Sequence, residues 1–536
     1  MRTAYYNGKI YTGELPLKEA FLVEDGYFTA VGTDREILCL LDPEDEKTDL
    51  MGSFICSGFN DSHMHLLNFG QSLYNVGLAE HTSSLEAVLD RLKKRLLEDP
   101  PENGRWLLGR GWNQDYFTDT DRMPDRYDLD RVSDTVPIMI TRACGHSCVV
   151  NSRVLSLAGI DKNTPNPEGG TIGKDENGEP DGRLYENAIE LLNTVKPLPD
   201  KNEIRKMLKL AMEQVNRYGI TSVQTDDYST FRRVPWQRIN EAYRELEETG
   251  LMSVRVTEQA NFTNLSDLQE LIRREKPEKG TDHFRIGPLK LIGDGSLGSR
   301  TAHLSMPYLG GEGEKGFSLF DPGDLKQMVS CANDHGMSVA VHAIGDACLD
   351  EVLDAIEEAL DKNPREDHRH GIVHCQISRE DQLKRIARLN LHVYAQSIFL
   401  DYDNHIVEKL VPEELTKTSY SWKTLLNSGV CVSNGSDCPV ELPDVMAGIQ
   451  CAVTRKSFDG TGPFLLEQAF TVKEALDSFT KNGARASFEE NKKGRIEKGM
   501  LADFVILDKD PFETEPDEIR NIRIRSTYLG GKKVFG

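Results

Sequence analysis

The sequence predicts an α/β fold, a (β/α)8 barrel of the TIM type with a small β-sandwich built from both termini and an α+β insertion after the first barrel strand. Three observations support this prediction: eight short apolar segments end in polar residues, helix-length segments lie between most of them, and both ends of the chain resemble β-hairpins. We expect a β-sandwich domain of residues 1–54 and 490–536 and a barrel domain of residues 55–489, with residues 70–200 as an insertion or lid.

The terminal segments form the first predicted element. Residues 4–32 contain short apolar stretches around Asn7-Gly8 and Asp25-Gly26, dipeptides that close β-hairpins. A hairpin sheet of this size is not stable alone. Residues 501–536 contain similar stretches around Gly530-Gly531, so we expect the two ends of the chain to form one sandwich.

The barrel is predicted from the rhythm that begins after Pro199. Strand candidates lie at 220–227, 253–259, 285–295, 338–346, 370–376, 392–398 and 430–437, and an eighth precedes His63. Helical candidates between them include 202–218, 324–335, 348–360 and 379–389. Eight β/α units predict a barrel whose active site lies where the strands end. Residues 163–183, rich in Gly, Pro, Asn and Asp, are predicted to form a long loop that covers the site.

Composition excludes several classes of function. The formal net charge of the 536 residues is -23, which argues against a nucleic-acid partner because a polyanion would be repelled. No apolar run of about 18 residues exists, so we expect no membrane span. The N-terminus lacks an apolar secretory segment, and the ten cysteines show no paired framework, so we expect a cytoplasmic protein. Cys144 and Cys148 lack the second pair that a structural zinc site needs.

Candidate metal ligands lie at or near the ends of the predicted strands. His63 and His65 are one residue apart, so on a strand both imidazoles point to the same side. Four further candidates lie at or near the ends of other strands: Lys290, His342, His374 and Asp437. A core histidine or a helix-capping aspartate would explain any one of them. Their convergence on one rim favours a divalent metal, for which we expect zinc, and a small-molecule substrate.

Lys290 is the unusual member of this set. An unpaired lysine on an inward-facing strand would bury a charge at large cost. Lys290 either pairs with Asp294 or another carboxylate, or it reacts with carbon dioxide to give a carbamate that could bridge two metal ions.

Several segments resemble a known family. FNDSHMH, the strand-end histidines His342 and His374, the aspartate of GSD and the C-terminal GRIEKGMLADFVILD resemble the amidohydrolase superfamily. LKLIGDGSLGSRTA, VAVHAIGD, HCQ, NGSDCPVELPD, GRGWNQD and GHSCVVNSRVL more closely resemble its YtcJ-like branch, the amidohydrolase 3 group that includes N-substituted formamide deformylases. The likeness runs over nearly the whole chain.

The resemblance implies a set of roles. His63, His65 and Asp437 would hold one metal, His342 and His374 would hold a second or orient the substrate, and a carboxylated Lys290 would bridge. In single-metal members His342 would join the first metal and His374 would act from beside it. The family also leads us to expect a homodimer.

The expected reaction is hydrolysis of a non-peptide carbon-nitrogen bond by metal-activated hydroxide, with Asp437 and His374 as catalytic residues. Five residues from loops near the barrel mouth are predicted to contact substrate: Arg110, Trp112, Asn113, His146 and Arg300. Deamination of an amino-substituted ring on the same site is an alternative. A metal-binding scaffold without catalysis is a second alternative, against which the complete ligand set argues.

Overall fold

The computed structural model describes residues 2–102 and 104–536. The strands of these residues, in chain order, are β1 (Arg2–Tyr6), β2 (Lys9–Ile10), β3 (Ala20–Glu24), β4 (Tyr27–Gly32), β5 (Glu46–Asp49), β6 (Phe54–Ser57), β7 (Phe59–Met64), β8 (Val76–Gly77), β9 (Leu107–Trp112), β10 (Ile138–Arg142), β11 (Ser147–Val150), β12 (Gly170–Lys174), β13 (Pro180–Glu186), β14 (Ile220–Thr225), β15 (Arg255–Asn261), β16 (Lys279–Gly280), β17 (Phe284–Ile292), β18 (Val339–Ala343), β19 (Gly371–His374), β20 (His392–Ala395), β21 (Val432–Asn434), β22 (Phe504–Leu507), β23 (Ile524–Leu529) and β24 (Lys532–Phe535).

The α-helices are α1 (Asp34–Leu38), α2 (Leu66–Tyr74), α3 (Leu85–Glu98), α4 (Arg126–Asp130), α5 (Ser152–Ala158), α6 (Lys201–Asn216), α7 (Trp236–Glu248), α8 (Leu265–Arg274), α9 (Pro322–Asp334), α10 (Asp346–Lys362), α11 (Glu380–Arg388), α12 (Leu400–Asp403), α13 (Val407–Leu410), α14 (Glu413–Thr416), α15 (Trp422–Asn427), α16 (Val445–Thr454), α17 (Val472–Ser478) and α18 (Lys481–Ala486). Among the described residues, no helix combines the length and apolar character needed to cross a membrane. The chain divides into two compact units, residues 1–68 with 211–536, and residues 69–210.

The larger unit contains the barrel. Its strands follow the order β7, β14, β15, β17, β18, β19, β20, β21, and all neighbouring pairs are parallel. The ring is closed between its last and first strands by backbone hydrogen bonds of 2.8 Å from Asp437 N to His63 O and from His65 N to Cys438 O. All eight predicted strands are present, and the predicted barrel is confirmed.

The terminal segments of the same unit form two small sheets. One has the order β4-β3-β1-β5 and the other the order β2-β6-β22-β23-β24, so strands from both ends of the chain pair within one sheet. An aromatic core joins them: the Phe504 ring lies 5.1 Å from Tyr5 and stacks on Tyr528 at 4.3 Å between centroids. The termini therefore build the sandwich together, while the residue limits given above for the domains stay predictions.

The smaller unit has its own sheet, of order β12-β13-β11-β10-β9-β8. Buried Val88, Leu89 and Leu92 of α3 pack in one of its cores, and Val154 and Leu155 of α5 pack in another. The predicted long loop at 163–183 is wrong, because this segment contains β12 and the start of β13. Its Gly, Pro and Asn residues are concentrated in the turns around a short hairpin.

Candidate metal centre

The six predicted ligands lie at or near the carboxyl ends of five barrel strands. His63 is in β7 and His65 follows its last residue, Lys290 is near the end of β17, and His342 is in β18. His374 ends β19, and Asp437 follows β21 by three residues. His374 and Asp437 have left-handed backbones, with φ of 76° and 59°, which is rare outside glycine and is concentrated at functional sites.

Three of these side chains form the centre of the cluster. The ligand atoms of His63, His374 and Asp437 all lie within 4.8 Å of one another, close enough to bind one metal ion. Asp437 Oδ1 lies 3.3 Å from His63 Nε2 and 2.9 Å from His65 Nε2. Lys290 Nζ lies 3.2 Å from His63 Nε2. The structure therefore brings five of the six predicted residues together, four of them around the Asp437 carboxylate.

His342 lies beside this cluster. Its ring centroid is 4.4 Å from that of His374. Its Nδ1 is 3.0 Å from Asp294 Oδ1, yet the alignment does not make a hydrogen bond, and this nitrogen has no other partner among the described residues. The Asp294 carboxylate instead accepts hydrogen bonds from the backbone N–H groups of His303, Ile344 and Gly345. Asp294 therefore contacts His342 and not Lys290. The Lys290–Asp294 pair, one of the predicted alternatives, is not formed.

Three buried polar residues hold the imidazole rings, and the sequence did not identify them as part of the site. Gln259 Oε1 lies 3.1 Å from His63 Nδ1, and Gln396 Oε1 lies 2.7 Å from His374 Nδ1. Asp226 pairs with His65 Nδ1. Such partners fix which ring nitrogen carries the proton and leave the other nitrogen for a metal. Their only signal in the sequence is a polar side chain within or at the end of a predicted strand.

Gly435, the residue directly after β21, approaches β7 closely. A Cβ at this position would lie 2.5 Å from His63 N, so only glycine allows this approach without displacement. Next to it, the buried Asp61 carboxylate accepts hydrogen bonds from Ser436 Oγ at 2.5 Å and from His63 N at 3.2 Å. Burial raises the pKa of Asp61 to about 7, although these hydrogen bonds oppose the shift. Asp61 and Gly435 thus fix His63 relative to Asp437.

The ionisation of the cluster follows from burial and mutual contacts. Burial disfavours the charged form of Asp437, but its contacts with His63 and His65 outweigh this effect and hold its pKa well below the usual range. Burial, with the charge of Lys290 adding to it, lowers the pKa of His63 to about 4. Burial also lowers the pKa of His374 well below its usual value, assisted by His342. These groups are therefore an ionised carboxylate and neutral imidazoles, the forms that bind metals.

His65 and Lys290 shift in opposite directions. Burial would lower the pKa of His65, but Asp226 and Asp437 raise it well above the usual value. Burial lowers the pKa of Lys290, and the charges of Asp226 and Asp437 oppose this only in part. Among the described residues, Lys290 forms no ion pair within 4.0 Å.

The predicted substrate contacts lie in both units. Arg300, in the larger unit, has a guanidinium nitrogen 4.0 Å from Glu314. Within the smaller unit, Trp112 is fully buried in the core, Arg110 is exposed, Asn113 caps a short 3-10 helix, and exposed His146 Nδ1 lies 3.0 Å from Glu186. The substrate roles of these five residues stay predictions.

A closed (β/α)8 barrel with this His/Asp cluster at the carboxyl ends of its strands is the architecture of a metal-dependent hydrolase. Residues 46–535 match the amidohydrolase family, and the chain belongs to that family. YtcJ of Bacillus subtilis (strain 168) is 33% identical over 540 residues, which cover 100% of this chain and 99% of YtcJ.

Two further relatives extend the comparison. The N-substituted formamide deformylase of Arthrobacter pascens is 27% identical over 532 residues, covering 96% of this chain and 94% of the deformylase. The crystal structure of an uncharacterized metal-dependent hydrolase from Pyrococcus horikoshii OT3 superposes with a TM-score of 0.78 at 28% identity, covering 96% of this chain and 99% of the other. The predicted family is therefore confirmed, and the protein is a metal-dependent hydrolase enzyme.

Proposed function

We propose that this enzyme hydrolyses the carbon-nitrogen bond of a non-peptide amide, specifically an N-substituted formamide. The observation that carries the proposal is the group of His63, His374 and Asp437, whose ligand atoms lie within 4.8 Å of one another at the barrel rim. The choice of formamide follows the relative from Arthrobacter pascens, which carries the name N-substituted formamide deformylase.

The donor set fits a divalent cation, for which we propose zinc, with one or two ions. His63, His65 and Asp437 would hold the first ion, with His374 and His342 beside it or on a second. Gln259 and Gln396 accept hydrogen bonds from the Nδ1 atoms of His63 and His374, which leaves each Nε2 without a proton and able to bind a metal. A bound divalent ion would lower the pKa of a water molecule and polarise the substrate carbonyl.

Lys290 has the environment that a carbamate requires. Its lowered pKa favours the neutral amine, the form that reacts with carbon dioxide. We propose that carboxylated Lys290 adds an oxygen ligand next to His63, whose Nε2 lies 3.2 Å from Nζ.

Asp437 is the group best placed to move the proton. Its carboxylate is ionised, and it lies at the centre of the imidazole cluster. We propose that Asp437 takes a proton from the attacking water as the oxygen-carbon bond forms, and then donates it to the leaving nitrogen as the carbon-nitrogen bond breaks. His374 would orient the carbonyl. The products of a formamide would be formate and an amine.

The proposal includes further features of the enzyme. The net charge of -23 supports the absence of a nucleic-acid partner. We also propose a cytoplasmic homodimer. The five predicted contacts, Arg110, Trp112, Asn113, His146 and Arg300, stay candidates for substrate binding.

The test combines metal analysis with product analysis. Purified protein loaded with Zn²⁺ should convert a panel of N-alkyl and N-arylmethyl formamides to formate and amine in equal amounts. Asp437→Asn should lower kcat/KM by about 10²- to 10⁴-fold, the usual contribution of general acid-base catalysis. Asp459→Asn, which removes an exposed carboxylate elsewhere, is the matched control.

The proposal fails if the protein retains no divalent ion and added zinc or manganese produces no activity on any amide. Release of ammonia alone from an amidine-type ring would instead identify a deaminase.

A further inference from the structure

An open cavity of about 180 Å³ lies on the loops that follow the ligand-bearing strands. Its lining includes Leu297 after β17, Ile344 directly after β18, Gln376 two residues beyond His374, and Val440 three residues beyond Asp437. Phe399 lines it as well, and its ring stacks on the His374 imidazole at 5.9 Å between centroids. The cavity therefore lies beside the metal centre, next to the Phe399 ring.

The charge of the lining has one sign. Asp403 and Glu441 are its ionisable acids, and among the described residues that line the cavity none is basic. The aromatic side chains of Phe399 and Tyr402 also line the cavity. Ring faces attract cations, as carboxylates do, so the cavity favours a positively charged group attached to an apolar stem.

Asp403 is only partly satisfied by its neighbours. It is 7% exposed, and Tyr420 Oη and Gln376 Nε2 both donate to its Oδ2, at 2.8 and 3.0 Å. Oδ1 receives no hydrogen bond from the residues that the structure describes. Gln376 is 2% exposed, and its Oε1 also has no partner among these residues.

Asp403 Oδ1 and Gln376 Oε1 are both hydrogen-bond acceptors, and both belong to side chains that line the cavity. Burial, to which the charge of Glu441 adds, raises the pKa of Asp403 to about 6. A bound hydrogen-bond donor with a positive charge would satisfy the free oxygens and favour the ionised carboxylate.

We propose that this cavity holds the N-substituent of the amide and that Asp403 selects substituents that end in a protonated amine. The enzyme would thus act on mono-acylated diamines with an apolar spacer. This inference rests on the proposed function for the reaction, but it makes a separate statement about binding.

The experiment measures binding and turnover separately on the full-length protein loaded with Zn²⁺. Calorimetry compares two matched pairs of product amines whose reacting nitrogen carries a methanesulfonyl group and is therefore uncharged: the derivatives of p-xylylenediamine and 4-methylbenzylamine, and those of 1,6-diaminohexane and hexylamine. Kinetics compares N-[4-(aminomethyl)benzyl]formamide with N-(4-methylbenzyl)formamide. We expect the ammonium group to improve Kd and kcat/KM about tenfold or more, and Asp403→Asn to bring both ratios close to one.

Asp403→Asn preserves the shape of the side chain, since the amide oxygen can still accept from Tyr420 and Gln376. Asp459→Asn, an exposed carboxylate outside the cavity, should leave the ratios unchanged. If Asp403→Asn does not fold, the wild-type comparison and Glu441→Gln, which should weaken the preference in part, decide the question.

Equal binding of the diamine and monoamine derivatives by the wild type would overturn the inference, as would a preference that Asp403→Asn leaves intact. Preference for the diamine derivative without hydrolysis of any formamide would support the cavity assignment and refute the proposed reaction. Hydrolysis of both formamides at equal efficiency would support the proposed reaction and refute the cavity assignment.

Discussion

Replacing Gly435 with alanine should displace His63 and weaken the metal centre. The added Cβ would lie 2.5 Å from His63 N, 2.8 Å from His63 O and 2.8 Å from Asp61 Oδ1. Two of these atoms belong to the backbone of β7, so no side-chain rotation relieves the contact. An ordinary contact begins near 3.4 Å, so the strands would have to separate by up to about 0.9 Å.

Two consequences of this separation can be estimated. Overpacking of a well-packed core costs about 1 to 3 kcal/mol of unfolding free energy. Loss of the support that orients a metal-binding histidine lowers metal affinity about 10- to 100-fold. We therefore expect Gly435→Ala to lower both the urea midpoint and the affinity for Zn²⁺, measured by competition with a chromophoric chelator.

Gly77→Ala is the matched control, because a Cβ there meets nothing within 4 Å and its backbone needs no positive φ. The reasoning is refuted if Gly435→Ala has the same Zn²⁺ affinity and urea midpoint as Gly77→Ala.

Two further predictions concern buried charges. Asp226→Asn keeps an acceptor for His65 Nδ1 but removes the Asp226 charge, which raises the pKa of His65. We therefore expect the Zn²⁺ affinity and kcat/KM to fall about 10- to 100-fold. Unchanged values in both assays would contradict this role of Asp226. Burial lowers the pKa of His392 from 6.5 to about 3, with its Nε2 2.8 Å from Ser433 Oγ. The unfolded chain binds this proton first as pH falls, so stability is full above about pH 6.5 and declines towards pH 3. His392 should thus lower the free energy of unfolding by about 2 kcal/mol between roughly pH 8 and pH 5. In urea denaturation, His392→Gln should lose correspondingly less stability over this pH range. Equal losses in the two proteins would refute this role of His392.

The barrel could be predicted because each strand carries a local signal. A short apolar stretch followed by polar residues marks β14, β18 and β19 without knowledge of their neighbours. The sequence does not show where the first barrel strand begins, because Ile55–Met64 resembles one continuous strand. The structure divides it at Gly58 into β6 of the terminal sheet and β7 of the barrel. A Cβ at Gly58 would lie 2.2 Å from Thr221 Oγ1, a contact that no sequence period reveals.

The residues of the metal-centre cluster were easier to predict than the residues that hold their imidazole rings. Histidines and an aspartate at strand ends are uncommon enough to be noticed, and five of the six predicted residues lie together, four of them around Asp437. Gln259, Gln396 and Asp226 were missed because their role depends on which imidazole each one meets. That choice is set by the registers of strands far apart in sequence. Residues 163–183 were predicted wrongly, since a turn-rich composition also describes a short hairpin.

The pairing of β6 with β22 has a consequence for how the polypeptide matures. Cys56 lies opposite Val505 in this pair, so β6 keeps an unpaired edge until residues 504–507 have left the ribosome. Contacts of such sequence separation form slowly, and β7 begins only two residues after β6 ends. A premature stop before residue 504 would therefore leave the nascent protein with an open sheet edge next to its first catalytic strand, a form prone to aggregation and degradation.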